Sequence, residues 1–183
     1  TGAVFAAATL GIGRIRGIRR PALACAVPGS SGRMTVFLDM GANADVRPEM
    51  LVQFAHMGRA YARVALGVES PRVALLSNGS EDSKGSEAAI AAHEALAQAG
   101  PWFAGNCEGT DILAGRFDVI VCDGFSGNVA VKTLEGTAKF IMAEVRRAVA
   151  GSKRAAAGAL LLRPALKSVA ESLSGDRYGG AIL

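Results

Sequence analysis

The sequence predicts an α/β protein with a mostly parallel sheet flanked by helices. Three observations carry this expectation. Short apolar runs of strand length alternate with longer segments of helical period along the chain. Polar, glycine-bearing loops follow the apolar runs, where open α/β sheets place their ligands. Half of the 183 residues are hydrophobic and 20% are charged, enough to bury a sizeable core.

The elements follow in order. Gly2 to Ile15 is Ala-rich and apolar and reads as a buried helix. The basic cluster Arg16, Arg19 and Arg20 leads to Pro21. Ala22 to Val27 reads as a strand, closed by the turn Pro28-Gly29-Ser30-Ser31-Gly32. Met34 to Leu38 is the next strand and ends at Asp39. Pro48 opens a helix at a position that suits proline. Met50, Phe54, Met57, Tyr61 and Val64 form its apolar face, spaced by four and three. Arg72 to Leu76 is a strand, and a helix runs from Ser86 to Gln98. Trp102-Phe103-Ala104 is a short strand, with Gly105 to Asp111 as a loop. Phe117 to Cys122 is a strand, then comes the turn Asp123 to Asn128 and a long helix. That helix shows Ala130, Leu134, Ala138, Ile141, Val145 and Ala148 on one face. A further helical stretch carries Leu160, Leu161 and Leu162, and Tyr178 to Leu183 starts one more strand. There is no repeat or low-complexity linker, so residues 1–183 read as one domain. Both ends read as cut, which suggests a piece of a longer protein.

Composition removes several function classes. Aromatics are only 5%, which argues against a nucleic-acid stacking surface. The net charge of +4, from 20 basic and 16 acidic residues, reads as an ordinary surface when taken alone, with an acidic partner or an anionic membrane face as the other reading. Cys25, Cys107 and Cys122 are odd in number and far apart, which indicates neither a disulfide framework nor a metal site. A reducing cytoplasm fits that usage. No charged leader with a cleavage site opens the sequence. No apolar run approaches the roughly 20 residues of a membrane span. The two histidines leave little room for a Ser-His-Asp triad: His56 reads as structural and His93 as exposed. No Walker sequence is present, and Gly11-Ile12-Gly13 lacks the third glycine of a dinucleotide fingerprint.

The polar chemistry sits in four loops: Asp39 to Asp45, Asn78 to Gly85, Gly105 to Asp111, and Asp123 to Asn128. Glycine turns that lead into helices suit anions, because backbone N–H groups and the helix dipole point at the same place. Lys84 precedes Gly85 and a helix; it can partner an anion there or be a solvated surface lysine. Asn128 can donate to a developing oxyanion or cap its helix. Asp39 and Asp123 end strands and can orient donors, hold a cation or cap turns.

At these loops the chain resembles bacterial phosphate acyltransferases of the PlsX type. The matching text is Leu38-Asp39-Met40-Gly41-Ala42-Asn43, Gln53 to Gly58, Pro71 to Leu76, Asn78-Gly79-Ser80-Glu81 with Lys84-Gly85, and Gly105-Asn106-Cys107-Glu108-Gly109. It continues through Asp123-Gly124-Phe125-Ser126-Gly127-Asn128, Lys132, Glu135-Gly136 and Tyr178-Gly179-Gly180-Ala181. The resemblance implies a three-layer fold like that of isocitrate and isopropylmalate dehydrogenases and phosphotransacetylases. It implies transfer of a fatty acyl group from acyl carrier protein to inorganic phosphate, in phospholipid synthesis, by a homodimer without metal or nucleotide cofactor. Lys84 and Asn128 fall on the family's proposed catalytic positions. Asp39, Asn43, Asn78, Gly79, Glu81, Gly85, Asn106, Glu108, Asp123, Gly124, Ser126 and Gly127 fall on its substrate loops. The family also touches membranes peripherally through an apolar tip, which falls on Leu160 to Leu162; packing in a dimer core is the other reading of that cluster. The family's amino-terminal segment and the end of its chain have no counterpart here, and Cys107 stands where an aliphatic residue is usual.

Two rival classes remain. One is an enzyme of the same fold: a phosphotransacetylase using coenzyme A, or a metal-dependent dehydrogenase, for which Asp39, Asp45, Asp111 and Asp123 are too dispersed. The other is a non-catalytic module that binds carrier protein or membrane.

Overall fold

A computed structural model describes residues 2–172 and 180–183. The helices are α1 (Gly2–Gly11), α2 (Pro48–Leu66), α3 (Glu87–Ala99), α4 (Gly124–Ala150) and α5 (Lys153–Ser172). The strands are β1 (Leu23–Pro28), β2 (Met34–Leu38), β3 (Val73–Leu76), β4 (Phe103–Cys107), β5 (Val119–Val121) and β6 (Ala181–Ile182). They form one sheet in the order β4-β3-β5-β2-β1-β6. The pairs β4–β3, β3–β5 and β5–β2 are parallel, whereas β1 runs antiparallel to both β2 and β6. The expectation of a mostly parallel sheet flanked by helices therefore holds, with an antiparallel hairpin at one side.

That hairpin follows from its turn. Gly29 N–H donates to the Arg33 carbonyl, and Gly32 takes φ +79°, a left-handed conformation that suits glycine. The register then pairs Pro28 with Met34 and Ala24 with Leu38. In the parallel part both faces are buried, as expected when helices supply the crossovers. Val36, Leu38, Val73, Leu75, Val119 and Val121 face a core completed by α2 and α3. Phe37, Ile120 and Ala74 lie side by side in neighbouring strands and are also fully buried.

Helix α2 begins at Pro48 as expected, but its buried stripe is rotated from the predicted one. Met50, Leu51, Phe54, Ala55, Gly58 and Ala62 face inward, whereas Val64 is exposed and Met57 and Tyr61 are half-buried. The small residues set this angle. A Cβ on Gly58 would lie 3.0 Å from a Leu38 methyl and closer still to Val119, so the helix backbone rests almost on the sheet. A pattern read from large apolar residues passes over that contact.

Three other expectations change. Helix α1 is mostly exposed rather than buried and ends at Gly11; Leu10, Ile12 and Ile15 all face solvent. Its apolar residues spread around the whole helix, so no single stripe directs docking. Strand β4 continues through Gly105, Asn106 and Cys107, which read as loop, because its pairing with β3 extends to Leu76–Cys107. Residues Asp123 to Asn128 are not a turn before α4: the helix starts at Gly124.

By their contacts the residues form two compact units, Thr1–Val129 with Gly180–Leu183, and Ala130–Gly179. The second holds the remainder of α4 and helix α5, with Ser152 Oγ accepting from Ala155 N–H at the start of α5. On α4 the predicted face is half-buried at Ala130, Leu134, Ala138 and Val145, but Ile141 and Ala148 are exposed. Tyr178 and Gly179 lie outside the described residues, while Ala181–Ile182 does form the strand expected there. Among the described residues no helix is long and apolar enough to cross a membrane.

Candidate active site

The four loops named from the sequence leave the carboxyl ends of β2, β3, β4 and β5, which all point the same way. Parallel strands deliver their loops to one edge, and this edge is where such sheets bind ligands.

The loop after β2 is knotted around Asp39, which is fully buried. One carboxylate oxygen accepts from Leu23 N–H at 3.0 Å and Ala42 N–H at 3.1 Å. The other accepts from Asn43 N–H at 2.7 Å and from the Asn43 side-chain amide at 2.8 Å. Four donors offset the cost of burying one charge. The Asn43 amide also donates to the Pro21 carbonyl. Asp39 is thus committed to shaping the loop, with no oxygen left to a cation.

Helix α4 starts against this knot. Gly124 N–H donates to the Asn43 carbonyl, and a Cβ on Gly124 would lie 2.7 Å from that oxygen. Gly127 packs directly on the Asp39 carbonyl, with Cys122 Sγ 2.9 Å from where its Cβ would be. Asp123 caps the helix: its carboxylate accepts from Ser126 N–H and Ser126 Oγ, both at 2.8 Å. Asn128 therefore lies inside the first turns, not at the cap. Its side chain is exposed and lies beside Gly41, whose Cβ position is 3.4 Å from Asn128 Cβ.

The loop after β3 closes as a turn, with Lys84 N–H donating to the Glu81 carbonyl at 3.0 Å. Lys84 folds its stem across Gly79; a Cβ there would meet Lys84 Cγ at 2.8 Å and Glu81 Oε2 at 2.7 Å. Gly85 takes φ +118° and hands the chain to Ser86, whose Oγ accepts from Ala89 N–H and caps α3. Asn106 of β4 reaches under this turn. Its amide nitrogen donates to the Glu81 carbonyl at 2.8 Å and lies 3.5 Å from that of Lys84. Its oxygen meets His93 Nδ1 at 2.9 Å. His93 is buried rather than exposed: it packs edge-on against Phe103, and its Nε2 lies 3.3 Å from Asp82. Its helix register set it on the inward face beside Ala92 and Leu96, a signal that the Ala-rich composition of α3 obscured.

Between these walls lies a cavity of about 160 Å³. Ala44, Asp45 and Val46 line it from the β2 loop, Leu75 and Leu76 from β3, Ser86, Ala88 and Ala89 from α3, and Cys122 and Asp123 from the end of β5; Leu51 of α2 completes it. Lys84 and Asn128 do not line it; they stand in the segments that continue its α3 and β5 walls. No thiol here is poised as a nucleophile. Burial pushes Cys25 and Cys107 up to about 12, and Cys107 also feels Asp111. Burial, with Asp123 and Asp39 nearby, raises Cys122 well above its ordinary value.

A family model described as "Fatty acid synthesis protein" matches residues 1–183. The chain belongs to that family. Relatives named phosphate acyltransferase align along all of it: 47% identical in Synechococcus sp. (strain JA-2-3B'a(2-13)), 47% in Heliobacterium modesticaldum and 46% in Thermobifida fusca. The chain spans 49%, 54% and 52% of those proteins, about half their length. Among solved structures, the EutD phosphotransacetylase from Staphylococcus aureus superposes with a TM-score of 0.54 over 71% of this chain and 46% of that one, at 19% identity. That likeness concerns the fold.

For a fatty acid synthesis family member, the site residues named from the sequence divide into two groups. Asp39, Asn43, Asn106, Asp123, Ser126 and the N–H groups of Gly124 and Gly127 already hold partners within the protein. Glu108 belongs with them, exchanging capping bonds with Asp111 around the short 3₁₀ turn Gly109–Asp111. Of the backbone donors from Gly124 to Asn128 that the resemblance offers to phosphate, those of Gly124, Ser126 and Gly127 are already taken, Gly127 N–H by the Asp123 carbonyl. Lys84, Asn128, Asn78, Glu81 and Gly85 are exposed on the same edge, and Gly79 is buried beneath Lys84.

Proposed function

We propose that the full-length protein transfers a fatty acyl group from acyl carrier protein to inorganic phosphate, giving acyl phosphate and free carrier thiol. One observation carries this reading: relatives named phosphate acyltransferase align with every loop of the site. The chemistry of the edge agrees. A phosphate oxygen attacks the thioester carbonyl carbon, a tetrahedral oxyanion forms, and the C–S bond breaks to release thiolate. Phosphate is itself the nucleophile, so no activated serine or cysteine is needed. The leaving thiol has a pKa of about 8.5, so its departure asks little of a general acid. The site must hold a dianion against a carbonyl and stabilise the oxyanion.

In this reading Lys84, with the amino end of α3, binds phosphate. Asn128 donates its amide to the oxyanion. The buried groups around Asp39, Asn43 and Asp123 set the distance between the two. Phosphate-dependent appearance of free carrier thiol, with acyl phosphate formed in equal amount, tests it. Binding of carrier protein without turnover would favour a non-catalytic module instead. The fold likeness to a phosphotransacetylase gives a second reading, with coenzyme A as thiol carrier. A preference for acyl-coenzyme A over acyl carrier protein would select that reading. The same likeness supports the three-layer, isocitrate/isopropylmalate dehydrogenase-like architecture.

The reading includes a homodimer placed at the membrane surface from the cytoplasmic side. Leu160, Leu161 and Leu162 support the membrane contact: they are 69%, 84% and 59% exposed, with Lys153, Arg154 and Arg163 near them. Replacing the three leucines should abolish liposome binding; unchanged binding would refute the contact.

A further inference from the structure

We propose that His93 and Asn106 are positioning residues that hold the Lys84 turn in its phosphate-binding shape. The inference rests on the reading of Lys84 given above. Residues Asn78 to Gly85 contain no helix or strand, and the Lys84 side chain is exposed. Left to itself, a glycine-bearing turn of this kind samples many shapes, and each wrong shape weakens anion binding. Within the turn the bond from Lys84 N–H to the Glu81 carbonyl is its own constraint. The rest comes from buried residues beneath it.

Asn106 grips the turn at both ends, through the Glu81 carbonyl at 2.8 Å and the Lys84 carbonyl at 3.5 Å. Both are carbonyl acceptors, so the Asn106 nitrogen must face them and its oxygen must face away. That oxygen is met by His93 Nδ1 at 2.9 Å. The pairing requires His93 to carry a proton on Nδ1 and fixes the Asn106 amide against rotation. His93 is anchored by burial and by its edge contact with Phe103, ring centroids 5.1 Å apart. Its other nitrogen lies 3.3 Å from Asp82, a member of the same turn. The turn is thus joined to β4 and to α3, the helix that walls the cavity.

A histidine that merely fills the core would show its loss in thermal stability and in no kinetic term. A positioning histidine shows it in phosphate KM, because an exposed turn adds little to global stability. Three variants of the full-length protein separate the cases, each assayed for phosphate KM, kcat and Tm, with Lys84→Ala alongside. His93→Asn places an amide nitrogen near the position of Nδ1 and keeps the bond to Asn106. His93→Gln places one near Nε2 and loses that bond. His93→Phe keeps the ring packing and loses both. We expect phosphate KM to rise about tenfold in His93→Phe and His93→Gln, with kcat changed less than about twofold, and to stay within about threefold of the parent in His93→Asn. If His93→Phe does not fold, the Asn–Gln pair decides alone. Equal KM in those two variants, or a loss confined to Tm, overturns the positioning role. Normal KM in His93→Phe while Lys84→Ala is inactive overturns it and leaves the function reading standing. Full activity of Lys84→Ala overturns both.

Discussion

Gly127 leaves no room for a single methyl group. It lies in the first turn of α4, and its Cβ would fall inside the Asp39 carbonyl oxygen and 2.9 Å from both the Asp39 carbonyl carbon and Cys122 Sγ. Ordinary carbon contacts lie at about 3.5–4.0 Å, so the start of α4 must retreat by roughly an ångström. Two of the obstructing atoms are backbone, held by the Asp39 knot, and cannot rotate away. Overpacking of this kind costs about 3 kcal/mol or more. Helix propensity pulls the other way by about 1 kcal/mol for glycine to alanine. The clash wins, and Gly127→Ala should lose about 2 kcal/mol, or on the order of 4–8 °C in Tm for a domain of this size. Gly136→Ala is the control: it sits in the same helix with nothing within 4 Å of its Cβ position. It should gain about 1 kcal/mol from propensity alone. Thermal unfolding of the two variants beside the parent measures both terms. A Gly127→Ala midpoint equal to that of Gly136→Ala would refute the packing of α4 on the Asp39 loop.

Three further outcomes are expected. Gly79→Ala should displace Lys84 rather than backbone, since Lys84 Cγ and Glu81 Oε2 are its nearest obstacles; phosphate KM should rise about tenfold with Tm nearly unchanged, and a large Tm loss with normal KM would contradict this. Burial works against the Asp111 carboxylate, but the Glu108 N–H and Arg116 outweigh it and hold Asp111 below the usual carboxylate range. Its contribution is therefore present at neutral pH and lost as pH falls below about 4 through the depressed value. Asp111→Asn should cost about 1 kcal/mol at pH 7 and less at pH 3 in urea unfolding, because the exposed Arg116 side is screened; a gap independent of pH would be the contrary result. All three cysteines should resist a thiol reagent at pH 8 in the native protein and react in denaturant, since burial holds each thiol protonated; rapid native labelling would show a reactive thiol.

Most of the fold was legible because it rests on local signals. The β2 boundaries and the start of α2 follow from an apolar run and from Pro48, and the expected Ser86 to Gln98 helix lies one residue ahead of the observed Glu87–Ala99, with Ser86 as its cap. What escaped was decided by contacts between distant segments. Gly58 sets the face of α2 because Leu38 and Val119 lie against it, which no helical period of large residues reveals. Asn106 and Cys107 join β4 because β3 pairs with them, despite the glycine before them. The site followed the same division. Its loops could be named from glycines, acids and amides, but residues that shape a loop and residues left exposed on it have the same composition. Asp39 and Asn43 are buried with their hydrogen bonds made inside the loop, whereas Lys84 and Asn128 are exposed, and no sequence pattern separates the two cases. His93 reads as exposed because its helix is Ala-rich, and its partners, Asn106 and Asp82, come from two other segments.

In the proposed reaction Lys84 binds phosphate and Asn128 stabilises the oxyanion, on one edge of the sheet. Steady-state kinetics of the full-length protein with acyl carrier protein thioester and varied phosphate, on Lys84→Ala and Asn128→Ala, test it directly. Lys84→Ala should lose phosphate saturation, whereas Asn128→Ala should keep phosphate KM and lose about 10²–10³ in kcat. Parent-like kinetics in both variants would contradict it.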